Sequence, residues 1–257
     1  MIDNPVLWKE LKAKFRWRQT PQVKAAAVAI ILLFLVYGYW QVFAAIIKWS
    51  SGDSAKAWWQ VGVSLHGLII WLLCPALASN AITQEKEQQT WDMLIFTQLR
   101  PSEILSGKLL SRLLPILGII VVFLPYMLFC VARGGAQLGE FLLVYVIFAT
   151  WVLFLVTTSL FMSWAFRKTA TSIAMSYMVV FALVIGTALI EATITAGGHY
   201  NDSPVLWLNP VRVIAAVFDR NDHNSTGVLL LSTFVYLAVT ALLYWRMHAR
   251  FRDFSIE

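Results

Sequence analysis

Six long apolar runs, separated by shorter polar segments, dominate the sequence. Each run holds about 20–25 residues, which is enough for a helix to cross about 30 Å of hydrocarbon. Helices are expected because every backbone N–H and C=O group needs a partner inside lipid. The predicted spans are roughly 25–47, 59–82, 108–132, 141–165, 172–196 and 226–245. The pattern therefore predicts an all-α integral membrane protein with one transmembrane domain over residues 1–257.

The composition agrees with this fold class. Hydrophobic residues make up 59% of the chain and charged residues 13%, whereas soluble domains are nearer half apolar and a quarter charged. These values exclude a soluble globular enzyme, a disordered chain and a disulfide scaffold. The two cysteines, Cys74 and Cys130, lie inside apolar runs and are expected to be buried thiols.

The distribution of basic residues predicts the orientation. Of the twenty Lys and Arg residues, fifteen lie in segments that face one side of the membrane if all six runs cross it, and five face the other side. Because basic residues favour the cytoplasmic side, both termini are expected there, in a multi-pass protein of the cytoplasmic (inner) membrane. The net charge of +6 then reports orientation and requires no nucleic-acid partner.

The first 21 residues predict an amphipathic helix in the cytoplasmic interface. Asn4 can cap this helix and Pro5 suits its first turn. Basic side chains occupy the opposite face, and Pro21 ends the pattern. The alternative is a solvated basic tail. The predicted apolar face consists of Leu7, Trp8, Leu11 and Phe15.

The predicted cytoplasmic loop over residues 83–107 mixes charged and apolar positions. Glu85 and Glu87 precede Trp91 and Asp92, and an apolar stretch with a turn at Arg100 follows. This pattern predicts a short amphipathic helix, and an exposed tryptophan between acidic residues suits the docking of a partner. The alternative is a plain interfacial connector.

The same loop carries a recognisable motif. It reads Glu85-x-Glu87-x-x-Thr90-Trp91-Asp92-x-Leu94 and continues with Arg100, Glu103, Gly107 and Lys108. This string resembles the permease subunit of type-2 ABC transporters, as do the opening Asn4-Pro5 and the later Leu208-Asn209-Pro210. The chain departs from the family pattern at Gln88-Gln89, where many members have glycine before the threonine.

The resemblance implies a function and a set of site residues. It implies an exporter permease that works by alternating access, with a second copy or a similar permease, and accessory proteins in some systems. A separate cytoplasmic ATPase would bind ATP and Mg²⁺, and this chain would hold no cofactor and no metal. The loop over 83–107 would contain the coupling helix, with Arg167 and Lys168 as a second cytoplasmic contact. The N-terminal helix would be the connecting helix, and part of the apolar outer loop over 197–225 would re-enter the membrane; the alternative is a surface loop lying on the bilayer.

Motifs for catalysis are missing from the sequence. Gly107-Lys108 lacks the glycine at position 102 and the hydroxyl residue at position 109 that a phosphate-binding loop needs. The spans hold almost no ionisable groups, which disfavours a proton-coupled carrier, and the lone His66 is expected to be a packing residue. We expect no enzyme activity and an amphipathic or hydrophobic substrate. The alternatives are a stand-alone carrier or channel, and a non-transport membrane scaffold or assembly module.

Overall fold

The computed structural model describes residues 5–15, 39–40, 43–44, 47, 52–91, 99–196, 208–218 and 225–253. This part of the chain is helical and holds no strand. A π-helical turn, Ala182–Gly186, lies between the helix that ends at Phe181 and the helix that begins at Thr187. The helices are α1 Pro5–Phe15, α2 Gly52–Ala78, α3 Thr83–Glu87, α4 Pro101–Ala132, α5 Leu138–Ala165, α6 Thr169–Phe181, α7 Thr187–Ala196, α8 Pro210–Phe218 and α9 Ser225–Asp253.

Five helical segments of the described chain are long and apolar enough to cross a membrane. They correspond to the predicted spans two to six, which confirms the all-α membrane class. The predicted first span, 25–47, lies almost wholly outside the described residues and stays a prediction. The five segments are Ala55–Glu87, Ser102–Ala132, Leu138–Ala165, Thr169–Ile190 and Leu229–Arg250.

Helix α5 is the centre of the bundle. It packs against α2, α4, α6 and α9 and is the most deeply buried of the five candidate spans. Its Trp151 meets Trp71 of α2 edge to face, with ring centroids 5.5 Å apart, in the geometry that aromatic pairs prefer. The imidazole of His66 is fully buried, 4.6 Å from the ring of Phe123 and 4.7 Å from that of Phe148. It therefore lies within the aromatic core.

The outer faces of the bundle are apolar. On α4, Leu114, Leu117 and Val121 follow helical spacing and are each more than 40% exposed, and α9 exposes Leu230 and Phe234 in the same way. A soluble protein rarely exposes large contiguous apolar patches. Lipid removes the penalty, since hydrocarbon chains are as apolar as leucine.

The apolar outer segment predicted to re-enter the membrane contains α8. Its Val213 and Val217, one turn apart, are buried against neighbouring helices. Ile214 Cδ1 lies 3.0 Å from the position that a Cβ on Gly67 would occupy. Gly67 lies near the middle of α2, so α8 packs close to the middle of a spanning helix. This packing supports the re-entrant path, which remains a prediction.

One side chain links α8 to the π-helical turn. Asn209 precedes α8, and its Oδ1 accepts the Val211 N–H at 2.9 Å, as an N-cap residue does. Its amide nitrogen donates to the Val184 carbonyl in the π-helical turn at 3.3 Å. The hydroxyl of Tyr236 on α9 donates to the Leu208 carbonyl at 2.5 Å. The Leu208-Asn209-Pro210 motif thus ties together three elements.

Candidate functional site

The short helix α3 is anchored by a serine from another helix. A helix begins with N–H groups that have no partner inside the helix. At α3 the N–H groups of Ile82 and Thr83 both donate to Ser163 Oγ of α5, at 2.8 and 2.9 Å. Just before α3, the Ser79 carbonyl accepts the hydroxyl of Ser172 from α6 at 2.7 Å. These bonds fix α3 against the end of α5 and the start of α6.

Glu87, the last residue of α3, caps the N-terminus of α6. Its Oε1 accepts the backbone N–H of Thr169 at 2.7 Å, and its Oε2 accepts the Thr169 hydroxyl at 2.9 Å. A carboxylate is favoured at this position because the N-terminus of a helix carries partial positive charge. Glu87 is exposed, so this cap lies at the protein surface.

Lys86, the residue before Glu87, caps the C-terminus of α5. Its ammonium donates to the carbonyls of Trp164 and Phe166 at the C-terminus of α5, the second at 3.1 Å. A cation is favoured there because helix C-termini carry partial negative charge. The same ammonium lies 5.9 Å from the centre of the Trp91 ring, within cation–π range. Adjacent residues of opposite charge thus hold α3 across the turn between α5 and α6.

That turn contains the predicted second contact. Arg167 and Lys168 are both exposed and lie between the two helix ends that α3 caps. The structure therefore places the predicted coupling segment and the predicted second contact side by side. We call this exposed surface the coupling platform; its members are Gln84, Glu87, Gln88, Thr90, Arg167 and Lys168.

The C-terminus of α3 ends in a Schellman motif. The Thr90 N–H donates to the Glu85 carbonyl at 2.9 Å, and the Gln89 N–H donates to the Lys86 carbonyl at 3.2 Å. This motif requires a left-handed residue at the position of Gln89, which has φ +57°. Glycine adopts that conformation most easily, which accounts for the glycine expected before Thr90 from the family pattern. The chain keeps the turn without the glycine.

Lys108 lies beneath the platform and is fully buried. Its ammonium meets three oxygens from different segments, two of which accept a hydrogen bond and the third of which forms an ion pair. These are Glu10 Oε1 of α1 at 3.1 Å, the Ala81 carbonyl at 2.9 Å and Glu85 Oε2 of α3 at 2.7 Å. A side chain with 0% exposure cannot contact a partner protein directly. Any part of Lys108 in coupling must therefore act through the residues it binds.

Glu10 completes this group of charges. Besides Lys108, it accepts the Ser111 hydroxyl at 2.8 Å and pairs with Arg112 Nη2 at 3.4 Å. Burial favours the neutral carboxyl, but the two cations and the Ser111 hydroxyl outweigh it, so the pKa of Glu10 lies below its ordinary value. We call Glu10, Glu85, Lys108 and Arg112 the charge node. It contains two acids and two bases and is neutral.

Helix α1 packs on α4 through the face that carries Val6 and Glu10. Val6 is buried, whereas Trp8 is 52% exposed and Leu7 is half-buried. The side chains of Leu11 and Phe15 lie outside the described part, so the predicted apolar face as a whole stays a prediction. The partial exposure of Trp8 is compatible with an interfacial helix, which remains a prediction.

The remaining predicted site residues begin α4. The Arg100 N–H donates to Glu103 Oε2 at 2.9 Å, as in a capping box. Pro101 occupies the first helical position, where proline is favoured. Gly107 is buried. In the described structure this part of the motif starts a helix. Asp92 and Leu94 lie outside the described residues, and their predicted roles stay predictions.

Sequence reasoning missed Glu10 and the contacts that Ser163 and Thr169 make with α3. Glu10 could have been found, because it is the only acidic residue between positions 4 and 25, among several basic ones. An isolated acid in a basic amphipathic helix indicates a specific partner. Ser163 and Thr169 carry no comparable signal, since small hydroxyl residues are common where helices pack in membranes.

Metal ligands do not cluster in the described part of the chain. No group of three or more His, Cys, Asp or Glu residues is arranged there to hold an ion. The chemistry that the α3 end offers is therefore ion pairing, helix capping and an exposed polar surface.

The fold and this polar end define a multi-pass, all-α membrane protein. A family profile described as "ABC-2 family transporter protein" matches residues 63–249, well over half of the chain. The chain therefore belongs to the ABC-2 transporter family and is an ABC transporter permease. The matched range runs from α2 into α9, so α1 lies outside it. No curated protein matches the sequence.

Proposed function

We propose that this chain is the permease of an ATP-driven exporter and that a separate cytoplasmic ATPase docks on the coupling platform. The observation that carries the proposal is the position of α3, held across the α5–α6 turn by the oppositely charged caps Lys86 and Glu87. A force on α3 would be passed to two spanning helices at once. ATP and Mg²⁺ would be bound by the ATPase.

The chemistry of the platform suits a protein partner. Its side chains are exposed, polar and of both signs, as at the rim of a protein interface. Arg167 and Lys168 add two cations beside the α3 segment, which would steer an acidic surface towards it. Conformational switching would then follow from rigid-body movement of packed helices.

The remaining parts of the proposal concern the transport path. Two copies of the chain, or this chain and a similar one, would enclose a path between them, opened alternately to the inside and the outside. The near-absence of ionisable groups in the spans favours an amphipathic or hydrophobic substrate, and outward movement is proposed from the family resemblance. The α3 end would face the cytoplasm of a bacterial-type inner membrane.

The test changes the platform without changing the fold. The double variant Arg167→Glu plus Lys168→Glu reverses the charge of two exposed side chains. The matched control, Lys56→Glu plus Arg133→Glu, makes the same charge change at the opposite end of the bundle, where both residues are also exposed. The readouts are co-purification of a cytoplasmic ATPase and ATP-dependent transport in inverted vesicles.

We expect the Arg167/Lys168 variant to lose ATPase association at least about ten-fold, since reversed charges across an interface cost several kcal/mol. The control should retain association, and the thermal stability of each variant is measured to confirm that it is folded. Equal association for both variants would refute the platform assignment. Transport by the purified chain without ATP would instead indicate a stand-alone carrier.

A further inference from the structure

The charge node is the only ion-paired connection between α1 and the rest of the described structure. Lys108 is central to it, because its ammonium contacts α1 through Glu10 and α3 through Glu85. The Ala81 carbonyl, in the turn that leads into α3, accepts a hydrogen bond from the same ammonium. The fully buried cation therefore meets oxygens from three different segments.

The charge node also connects segments that are far apart in the sequence. Glu10 and Lys108 are 98 positions apart, and Ala81 and Lys108 are 27 apart. Arg112, one turn after Lys108 on α4, and Ser111 hold the second oxygen of Glu10. The Glu10 carboxylate is thus fixed by α4 alone, while Lys108 reaches beyond it to α3.

We propose that Lys108 is a positioning residue that joins the interfacial helix α1 to the coupling segment α3, so that both follow the same movement of α4. The role of this connection in transport rests on the proposed function. The connection itself, which we call the joint, consists of the contacts of Lys108 with Glu10 and Glu85. A buried ion pair of this kind is sensitive to the loss of one partner, because the charge left behind has no water to solvate it.

The inference predicts a specific pattern of exposure. Two reporter cysteines are placed at buried positions, Val6→Cys in α1 and Ala81→Cys before α3. A charged maleimide is applied to inverted vesicles, and the chain without reporters, whose Cys74 and Cys130 are buried, gives the background. Each reporter is then combined with changes in the charge node.

Glu10→Gln should raise labelling at the Val6 reporter alone, and Glu85→Gln should raise labelling at the Ala81 reporter alone. Lys108→Met, which keeps the length of the side chain and removes its charge, should raise both about ten-fold or more, because buried partners then lose their counter-charge. Arg133→Met is the matched control: it removes a cation from the exposed end of α4 and should change neither.

Two results would overturn the joint. One is unchanged labelling of both reporters in Lys108→Met. The other is equal labelling of both reporters in Glu10→Gln, which would indicate general loosening. If Lys108→Met fails to yield a monodisperse protein, Glu10→Gln and Glu85→Gln decide instead, because both keep Lys108. The joint then requires that each of them raises labelling at its own reporter only.

A functional readout separates this inference from the proposed function. In the complex with the ATPase, Lys108→Met should keep ATPase association and lose transport, whereas the platform variant should lose association. If the native chain binds no ATPase, the proposed function fails, and the labelling pattern still decides whether Lys108 joins α1 to α3. Full transport by Lys108→Met would overturn the mechanical role of the joint.

Discussion

Gln89→Gly tests whether the end of α3 is strained. Gln89 has φ +57° in the Schellman motif, and a left-handed conformation costs an L-residue about 1–2 kcal/mol. Glycine removes this cost but loses roughly 0.5–1 kcal/mol through its greater freedom when unfolded. The Gln89 side chain is exposed, so little packing is lost. The net gain should be about 0.5–1 kcal/mol of local stability.

Hydrogen exchange of the backbone amides measures this gain directly. The amides of Gln89 and Thr90 donate the two bonds that close the motif. A gain of about 1 kcal/mol corresponds to a roughly five-fold lower population of the open state, and so to slower exchange by the same factor. Gln89→Val should act in the opposite direction, because a β-branched residue is a marked outlier at positive φ.

The neighbouring residue supplies the control. Gln88 is also exposed but has φ −83°, a conformation open to any residue. Gln88→Gly therefore relieves no strain and should leave protection unchanged or lower it. The reasoning is refuted if Gln88→Gly protects the segment as much as Gln89→Gly, or if Gln89→Gly speeds exchange.

Three further changes test other contacts. Gly67→Leu should destabilise the chain by about 1–3 kcal/mol through overpacking under α8, whereas Gly118→Leu, with open space around it, should not; equal thermal shifts would contradict the packing. Asn209→Ala should cost about 0.5–2 kcal/mol, since it removes an N-cap, and unchanged protection of α8 would show that the cap is dispensable. The folded pKa of Glu10 is depressed, so its ionic contribution is present above its ordinary value of 4.5 and is lost as pH falls through the lower folded pKa. The difference in melting temperature between the native chain and Glu10→Gln should therefore shrink as the pH falls below 4.5, and a constant difference would contradict the ionic role.

The spanning helices could be predicted because their signal is local. A run of apolar residues long enough to cross a membrane must be helical whatever it packs against. The predicted start of the third span, residue 108, lies seven residues after the observed start of α4, although Pro101 and Glu103 lie at fixed offsets from the first turn. The resemblance supplied the place of α3, since its motif lies in a continuous stretch of sequence.

The charge node could not be predicted, because its members are far apart in sequence. The isolated Glu10 indicates a partner, but nothing in the periodicity of α1 says that this partner is Lys108, 98 positions away. The contact of Ser163 with α3 depends on how α5 ends against α2, which is a result of tertiary packing. The π-helical turn Ala182–Gly186 also has no simple sequence signal, and neither does the hydrogen bond that its Val184 carbonyl accepts from Asn209.

The neutrality of the charge node has a consequence for the biogenesis of the chain. If the chain has the orientation that the basic residues predict, Lys108 and Arg112 would act as retention signals during insertion, when acidic residues carry little weight. Glu10 leaves the ribosome 98 residues before Lys108. It would wait at the membrane surface until α4 is inserted, and only then neutralise the cations. Lys108 and Arg112 would thus first help to set the topology and later pair with Glu10, which attaches α1 to the assembled helices.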